Sequence, residues 1–207
     1  MTSSGPRAIN LVPLIQLDSA SQMAVRDIRN EENVRRWMFT DHVIGESEHR
    51  GWIERLKADD RQIVFAVLDD DSKPLGLVSV NAIDRLHRKA EWAYYLTESE
   101  RGGLGPALEF AILNLIFGSL GIEKLNCEVI EGNGAVVKLH KRFLFVEEGF
   151  RRSNIVKDGI RVGVHILGLT KEDWVAGKAA LADRYGSVFD KFAVAIQWRD
   201  DGTSPVR

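Results

Sequence analysis

The sequence is poor in cysteine, in proline and in net charge. Its 207 residues include one cysteine, Cys127, and five prolines. A single cysteine excludes an internal disulfide framework and is typical of a reducing compartment, so we expect a cytoplasmic protein. The formal charge of −2 gives no reason to expect nucleic acid as a partner. The polar residues 1–8 lack the basic and apolar regions of a secretory signal, and we expect them to form a disordered tail.

Long hydrophobic runs and metal-binding patterns are also lacking. The most apolar stretch, 104–122, is interrupted by Pro106, Glu109 and Asn114, so it predicts a helix packed on a sheet and no membrane span. The scattered histidines show no metal-ligand spacing, and we expect no metal. Cys127 lies in an apolar alternation, which favours a buried core thiol over a nucleophile.

Hydrophobic periodicity predicts one α/β (α+β) domain with a mixed, mostly antiparallel sheet flanked by helices. We predict the domain at 9–170 and a C-terminal helical extension at 171–207. The predicted strands are 9–17, 62–68, 75–83, 90–97, 123–130, 147–155 and 160–169. The predicted helices are 19–30, 31–39, 46–57, 104–120, 134–143, 171–185 and 188–195. The extension could pack on its own domain or form a homodimer, and both interpretations stay open.

A glycine-rich turn, 100–106, leads from a predicted strand straight into the predicted helix at 104. Glycine lets a backbone approach a ligand closely, and the first N–H groups of a helix have no intrahelical partner. Such a turn suits a phosphate or pyrophosphate, although a plain strand-to-helix connection would look similar. No lysine followed by Ser or Thr comes after the glycines, and their spacing is too compact for a dinucleotide fingerprint, so both of those phosphate loops are excluded.

A second motif follows at 133–145, in the order Asn-Gly-Ala-Val-Val-Lys-Leu-His-Lys-Arg-Phe-Leu-Phe. With the glycine turn it resembles the GNAT N-acetyltransferase superfamily over about residues 9–170. The departures from the superfamily pattern are Glu100 for Gln or Arg, Val136 for Ala, His140 for Tyr and Leu144 for Gly. The resemblance implies acetyl-CoA as cosubstrate and transfer of its acetyl group to an amine.

The resemblance also implies a cofactor site. Backbone N–H groups of the glycine turn would hold the pyrophosphate, and the strand before the turn would splay from its neighbour and pair with pantetheine. A backbone N–H near Leu96 is the candidate donor to the thioester oxygen. Asn133 would contact the pantetheine or adenosine side. The predicted cofactor residues are Leu96, Thr97, Arg101, Gly102, Gly103, Leu104, Gly105 and Asn133.

Two side chains are candidates for proton transfer. His140 stands where the superfamily has a tyrosine that protonates the departing thiolate; the alternative is that it packs at a helix edge while water supplies the proton. Glu91 could take the proton of the attacking amine; the alternative is a solvated charge that closes the hairpin with Arg88 or Lys89. Leu96 completes the predicted catalytic set through its backbone.

A narrower resemblance concerns the acceptor. The segment 28–38 and the His49 helix look like the acetyltransferases of pseudaminic acid biosynthesis, which acetylate the 4-amino group of a UDP-linked 4-amino-4,6-dideoxy sugar. This implies a small-molecule amine acceptor, with aromatic faces for uracil or sugar and arginines for phosphates. An acetyltransferase of protein N-termini and a non-catalytic acyl-CoA-binding module are the alternatives. The predicted substrate-binding residues are Arg36, Trp37, His49, Trp52, Asn81, Trp92 and Tyr94.

Overall fold

The computed structural model describes residues 5–100 and 103–198, which form eight strands and six α-helices. The strands are β1 (Arg7–Pro13), β2 (Ile63–Leu68), β3 (Pro74–Asp84), β4 (Lys89–Leu96), β5 (Lys124–Ile130), β6 (Val146–Lys157), β7 (Ile160–Thr170) and β8 (Phe192–Ile196). The helices are α1 (Ser19–Asn30), α2 (Glu32–Arg35), α3 (Glu46–Leu56), α4 (Leu104–Phe117), α5 (Gly134–Arg142) and α6 (Lys171–Phe189). The predicted α+β class is confirmed.

All eight strands belong to one sheet, in the order β6-β7-β5-β4-β3-β2-β1-β8. Neighbouring strands are antiparallel except at two places, where β4 pairs with β5 and β1 pairs with β8 in parallel. The parallel pair β4–β5 requires a crossover, and the connection between these strands contains α4. The mixed, mostly antiparallel sheet therefore agrees with the prediction.

Helices cover both faces of the sheet. α4 lies on one face, where Leu108, Ile112 and Ile116 are fully buried, while α1 and α3 cover the other through Val25 and Ile53. α4 is apolar almost all round because it lies between the sheet and α6. Alternate residues of β4 therefore face two different environments, which matters for the site below.

The C-terminal segment packs on its own domain. Trp174 of α6 is 1% exposed, and its ring lies 5.5 Å from Phe110 and 6.3 Å from Phe117 of α4. The predicted helix at 188–195 is wrong, because Phe192–Ile196 forms β8 beside β1. Its apolar residues alternate with alanines, which is the period of a strand, and pairing with β1 decided between the two structures.

Several further boundaries differ from the prediction, among them the start of β1 at Arg7, inside the predicted tail, and the end of α6 at Phe189 instead of residue 185. β1 ends at Pro13, where a 3₁₀ turn (Leu14–Gln16) replaces the end of the predicted strand. α2 is a single turn instead of the predicted helix 31–39, and α4 ends at Phe117.

Leu144 connects α5 to α6. It has a left-handed backbone, with φ at 73°, at the position where the superfamily pattern has glycine. Its side chain lies against Gly177 of α6: a Cβ added to that glycine would be 2.5 Å from Leu144 Cδ1. Since the left-handed region costs a non-glycine residue about 1–2 kcal/mol, this packing offsets local strain.

Candidate active site

The site begins where two parallel strands separate. β4 and β5 are paired only at their first residues, from Lys89 with Lys124 to Glu91 with Asn126. Beyond Glu91 the two strands continue without pairing, so their facing backbone groups are left for another partner. An opening of this kind can bind an extended ligand through backbone hydrogen bonds, as the edge of a sheet binds an added strand.

The backbone of β4 directs N–H groups into this opening. The Thr97 N–H donates to Leu75 O on β3 at 2.8 Å. N–H groups alternate in direction along a strand, so those of Leu96 and Tyr94 point away from β3. This is the orientation that the predicted oxyanion donor at Leu96 needs.

The glycine turn leads into an uncapped helix. Gly103 is the N-cap of α4, its backbone is extended (φ 169°), and no side chain caps the helix. The first N–H groups of α4 therefore remain available for an anion. A Cβ at Gly105 would lie 3.4 Å from the Tyr94 hydroxyl, so the turn passes close to β4. The predicted residues Arg101 and Gly102 lie outside the described residues.

Glu100, the first departure from the superfamily pattern, is paired within the protein. Its carboxylate accepts from Arg7 Nη1 at 2.7 Å and from Nη2 at 3.1 Å, and this hydrogen bond raises the pKa of Arg7. Arg7 therefore compensates a negative charge that would otherwise repel phosphate near the turn. The sequence gives no signal for this pair, because 93 positions separate the two residues.

His140 is buried beside the opening. Its ring centroid lies 5.3 Å from Trp92, 6.3 Å from Tyr94 and 5.2 Å from Phe145. Trp92 is the first residue of β4 beyond the last pair with β5, so His140 lies at the point where the sheet opens. Its Nδ1 is 2.8 Å from Oε1 of Glu109 on α4.

Glu109 was not among the predicted site residues. It is fully buried, and its Oε2 has no hydrogen-bond partner within the described residues. A signal was present, because Glu109 is the one charged residue of α4. A single carboxyl group in a helix that is otherwise apolar requires a polar partner in the fold.

The aromatic residues Trp92 and Tyr94, predicted to bind the acceptor, lie on the same face of β4 as His140. Their rings stack at 5.3 Å. Burial, with the nearby Glu109 carboxyl, raises the pKa of Tyr94 well above its usual range. Cys127 on β5 is buried, as predicted for a core thiol, and burial raises its pKa as well. These groups therefore surround the His140–Glu109 pair with uncharged surfaces.

Glu91 lies on the opposite face of β4. Its side chain is exposed, between Asn81 on β3 and Asn126 on β5 in the strand register. The alternative partner Arg88 is engaged elsewhere, since its Nη1 lies 2.6 Å from Glu123. The Asn81 amide donates to Ser79 Oγ at 2.9 Å. Glu91 and Asn81 therefore share an open region of the sheet at the point of separation.

Arginines lie near this face, around α1 and α2. Arg29 is buried; its Nη2 donates to Thr40 Oγ1 at 2.6 Å, and its Nη1 has no partner within the described residues. Burial lowers the pKa of Arg29. Arg36 is exposed, with its guanidinium 5.1 Å from the centre of the Trp37 ring.

Trp37 connects this region to the motif before α5. A Cβ at Gly132 would be 3.8 Å from the Trp37 ring, next to the N-cap Asn133, which is half-buried and makes no side-chain cap. The buried Lys157 Nζ donates to Met38 O at 2.7 Å and so joins β6 to the segment after α2.

The remaining predicted residues have internal roles in the structure. His49 Nε2 lies 3.0 Å from Gln22 O and so joins α3 to α1, and burial lowers its pKa. Trp52 packs on the core between the sheet and these helices. The Thr97 hydroxyl donates to Glu31 at 2.7 Å, and the side chain of Leu104 is buried in the core, so only its backbone is left for a cofactor.

The described residues contain neither a metal-binding cluster nor a membrane-spanning helix. Within 5–100 and 103–198, no group of three or more His, Cys, Asp or Glu side chains is arranged to hold a metal ion. No helix in these two stretches has the length and apolarity needed to cross a bilayer.

Comparison with known families assigns the fold. The family described as acetyltransferase (GNAT) domain matches residues 9–146, which includes both predicted motifs. The chain belongs to this GNAT family. It is therefore an N-acetyltransferase that uses acetyl-CoA, as the glycine turn and the separated strands indicate.

Individual relatives of this GNAT protein are distant. YdaF of Bacillus subtilis, whose name assigns it provisionally to the ribosomal N-acetyltransferases, is 24% identical over 173 residues, which are 81% of this chain and 94% of YdaF. Spermidine N(1)-acetyltransferase of Vibrio cholerae is 25% identical over 126 residues, 60% of this chain and 73% of that protein. The crystal structure of the Vibrio cholerae spermidine N-acetyltransferase with CoA and spermine superposes with a TM-score of 0.74 at 21% identity, covering 81% of this chain and 98% of that one.

The narrower resemblance to the pseudaminic acid enzymes gains no support from these relatives, whose names refer to ribosomal and spermidine acetylation. The homodimer stays a prediction.

Proposed function

We propose that this enzyme acetylates a primary amine on an acceptor that also carries phosphate or another anionic group. A nucleotide-linked amino sugar, the class predicted from the sequence, is the first such acceptor to test. The single observation that carries the proposal is Arg29, a buried guanidinium with an unpartnered Nη1 and no ion pair to a carboxylate within the described residues.

A buried cation without a counter-charge is costly. An anionic acceptor would supply that charge and the missing hydrogen bond. Arg36 and Trp37 add an exposed cation and an aromatic surface nearby, which suit a phosphate and a ring. A polyamine, in contrast, would bring more positive charge to this region.

The proposed reaction is direct attack of the amine on the thioester. The separated edge of β4 holds the pantetheine arm, and the first turn of α4 holds the pyrophosphate. The N–H groups of Leu96 and Tyr94 face the developing oxyanion; one donor of this kind contributes about 3 kcal/mol. Glu91 receives the amine proton directly or through water, and His140 protonates the departing thiolate.

A polyamine acceptor is the second candidate, and one observation favours it. Within the described residues, Glu31 accepts from two neutral donors, the Thr97 hydroxyl at 2.7 Å and the Glu98 N–H at 3.3 Å, and from no cation. Its negative charge therefore remains to attract an ammonium group where β4 ends. The relatives named for spermidine acetylation point the same way.

The deciding experiment is thiol release from acetyl-CoA with a panel of acceptors: UDP-linked 4-amino-4,6-dideoxy sugars, spermidine and N-terminal peptides. We expect turnover on the sugars, with Arg29→Gln raising the acceptor KM at least tenfold and leaving the acetyl-CoA KM unchanged. Arg26→Gln, on the same helix but paired with Asp27, is the matched control and should behave as wild type.

Each other outcome has a definite meaning. Turnover on spermidine alone, with Arg29→Gln neutral or improved, would overturn the anionic acceptor and favour the role of Glu31. Turnover on peptides alone would assign the protein N-terminal alternative. Tight acetyl-CoA binding without turnover on any acceptor would favour the acyl-CoA-binding module.

A further inference from the structure

The buried pair of His140 and Glu109 connects two helices behind the opening of the sheet. His140 comes from α5 and Glu109 from α4, and 2.8 Å separates Nδ1 from Oε1. The two side chains are 6% and 0% exposed. A hydrogen bond at Nδ1 fixes the orientation of an imidazole and decides which ring nitrogen remains for chemistry.

Within the described residues, His140 Nε2 has no hydrogen-bond partner. The ring lies 5.3 Å from that of Trp92, at the first β4 position beyond the last β4–β5 pair. The free nitrogen therefore belongs to a ring located where the acyl group of the cosubstrate would enter.

A purely structural role explains Glu109 poorly. An unpartnered oxygen of a buried carboxyl group costs about 1–3 kcal/mol or more, and leucine at this position would avoid that cost among the apolar neighbours of α4. The titratable groups that face the pair are Tyr94 from β4 and Cys127 from β5. Neither is a cation, so within the described residues the imidazole is the basic group in contact with this carboxylate.

We propose that Glu109 is the positioning residue that holds His140 with Nδ1–H toward α4 and Nε2 toward the leaving thiolate. This inference rests on the proposed function, since it assigns the acid of that reaction. The relation is that of a buried carboxylate to its imidazole in serine hydrolases, where the carboxylate fixes the tautomer and stabilises the imidazolium. In this chain a histidine takes the place of the tyrosine of the superfamily pattern, and Glu109 is the carboxylate that orients it.

In the proposed step the amine displaces the thiolate of CoA, and His140 supplies the proton that the thiolate takes up. The neutral amine attacks the thioester carbon, forming a C–N bond, and the C–S bond breaks with its electron pair on sulfur. His140, protonated on both ring nitrogens at the start of this step, gives its Nε2 proton to that sulfur, which leaves as the thiol of CoA, while Nδ1–H stays hydrogen-bonded to Glu109. The proton lost by the new amide nitrogen passes through Glu91 or water to solvent. Solvent then returns one proton to Nε2.

The test uses three variants and a control. Glu109→Gln keeps the size of the side chain and removes the charge, Glu109→Leu removes the polar group, and His140→Gln removes the acid. For each we expect kcat to fall about 100- to 300-fold, at the lower end of the range of general acid catalysis, with the acetyl-CoA KM within twofold of wild type. Ile112→Val, in the same buried helix, removes one methyl group from the core without touching the pair and should keep wild-type kcat.

A spectroscopic measurement tests the pair apart from turnover. ¹⁵N-edited NMR of imidazole-labelled full-length protein reports which nitrogen carries the proton. We expect Nδ1–H in the wild type, with its proton shifted far downfield by the carboxylate, and loss of that signal in Glu109→Gln. His140→Gln identifies the resonance, because it removes it.

The outcomes separate this inference from the function it rests on. If the wild type is active and the folded variants Glu109→Gln and Glu109→Leu both have wild-type kcat, the proposed role of Glu109 is overturned. A change in acetyl-CoA KM alone would also overturn it, since a positioning role for the acid acts on kcat. A wild type inactive on every acceptor contradicts the proposed function, while the NMR signal still decides whether Glu109 holds His140 by Nδ1.

Discussion

Replacing Gly177 with alanine tests the contact between α6 and the loop after α5. Alanine in the middle of a helix is normally more stable than glycine by about 1 kcal/mol. At Gly177, however, the new Cβ would lie 2.5 Å from Leu144 Cδ1, 3.1 Å from Cδ2 and 3.3 Å from Cγ. The whole branched end of Leu144 would have to move.

Leu144 has little freedom to move, because the left-handed region that its backbone occupies is small and its side chain also packs on the core. Overpacking of this kind costs about 1–3 kcal/mol, which exceeds the gain in helix propensity. We expect Gly177→Ala to lower the free energy of unfolding by about 1 kcal/mol. Gly186, in the same helix, has nothing within 4 Å of an added Cβ, so Gly186→Ala should raise it by about 0.5–1 kcal/mol.

Urea denaturation followed by circular dichroism measures both variants. A separation of about 2 kcal/mol corresponds to roughly 4–8 °C in Tm for a chain of this size. In a Leu144→Ala background the clash disappears, and Gly177→Ala should become stabilising. Equal stabilisation by the two glycine substitutions in the wild-type background would refute the contact.

Three further predictions concern stability, pH and cofactor affinity. Trp174→Ala should cost about 3–5 kcal/mol in urea denaturation because the side chain is fully buried; a loss below about 1 kcal/mol would show that α6 is not part of the core. Burial lowers the pKa of His49 in the folded protein, so the unfolded chain binds its proton more readily and stability falls as the pH drops through about 6.5. His49→Gln should therefore reduce the difference in unfolding free energy between about pH 7.5 and pH 5.5. An unchanged difference in this variant would contradict the prediction. Arg7→Met leaves Glu100 unpaired near the turn, so the acetyl-CoA KM should rise about fivefold, about 1 kcal/mol, at constant kcat. Arg7→Met/Glu100→Gln should restore it, and an unaltered KM in the single variant would separate Arg7 from the cofactor site.

Local signals were sufficient for most elements of the fold. α1 begins at the residue predicted, because Asp18 caps it by accepting from the Ser21 N–H at 2.7 Å, three residues away. The glycine turn and the Asn133 motif likewise lie within short segments, so their order along the chain identified the superfamily. Each of these features depends on residues that are close in sequence.

The features that were missed depend on distant partners. β8 became a strand because β1 pairs with it, although its residues are compatible with a helix. The partner of His140 is 31 positions away and the partner of Glu100 is 93 away. The side of β4 occupied by Trp92 and Tyr94 depends on which helices cover each face, so the aromatic residues predicted to bind the acceptor are divided between the two faces of the sheet. No spacing rule within a single sequence supplies such information.

The parallel pair of β1 and β8 has a consequence for how the protein folds. Arg7 lies opposite Phe192, and Phe192 also packs 3.6 Å from the position of a Cβ on Gly103. The two ends of the described chain therefore meet beside the glycine turn. Contacts between remote segments form late and slowly, so during synthesis this side of the turn is completed only when β8 has left the ribosome. Until then β1 is an unpaired edge, open to pairing with another chain.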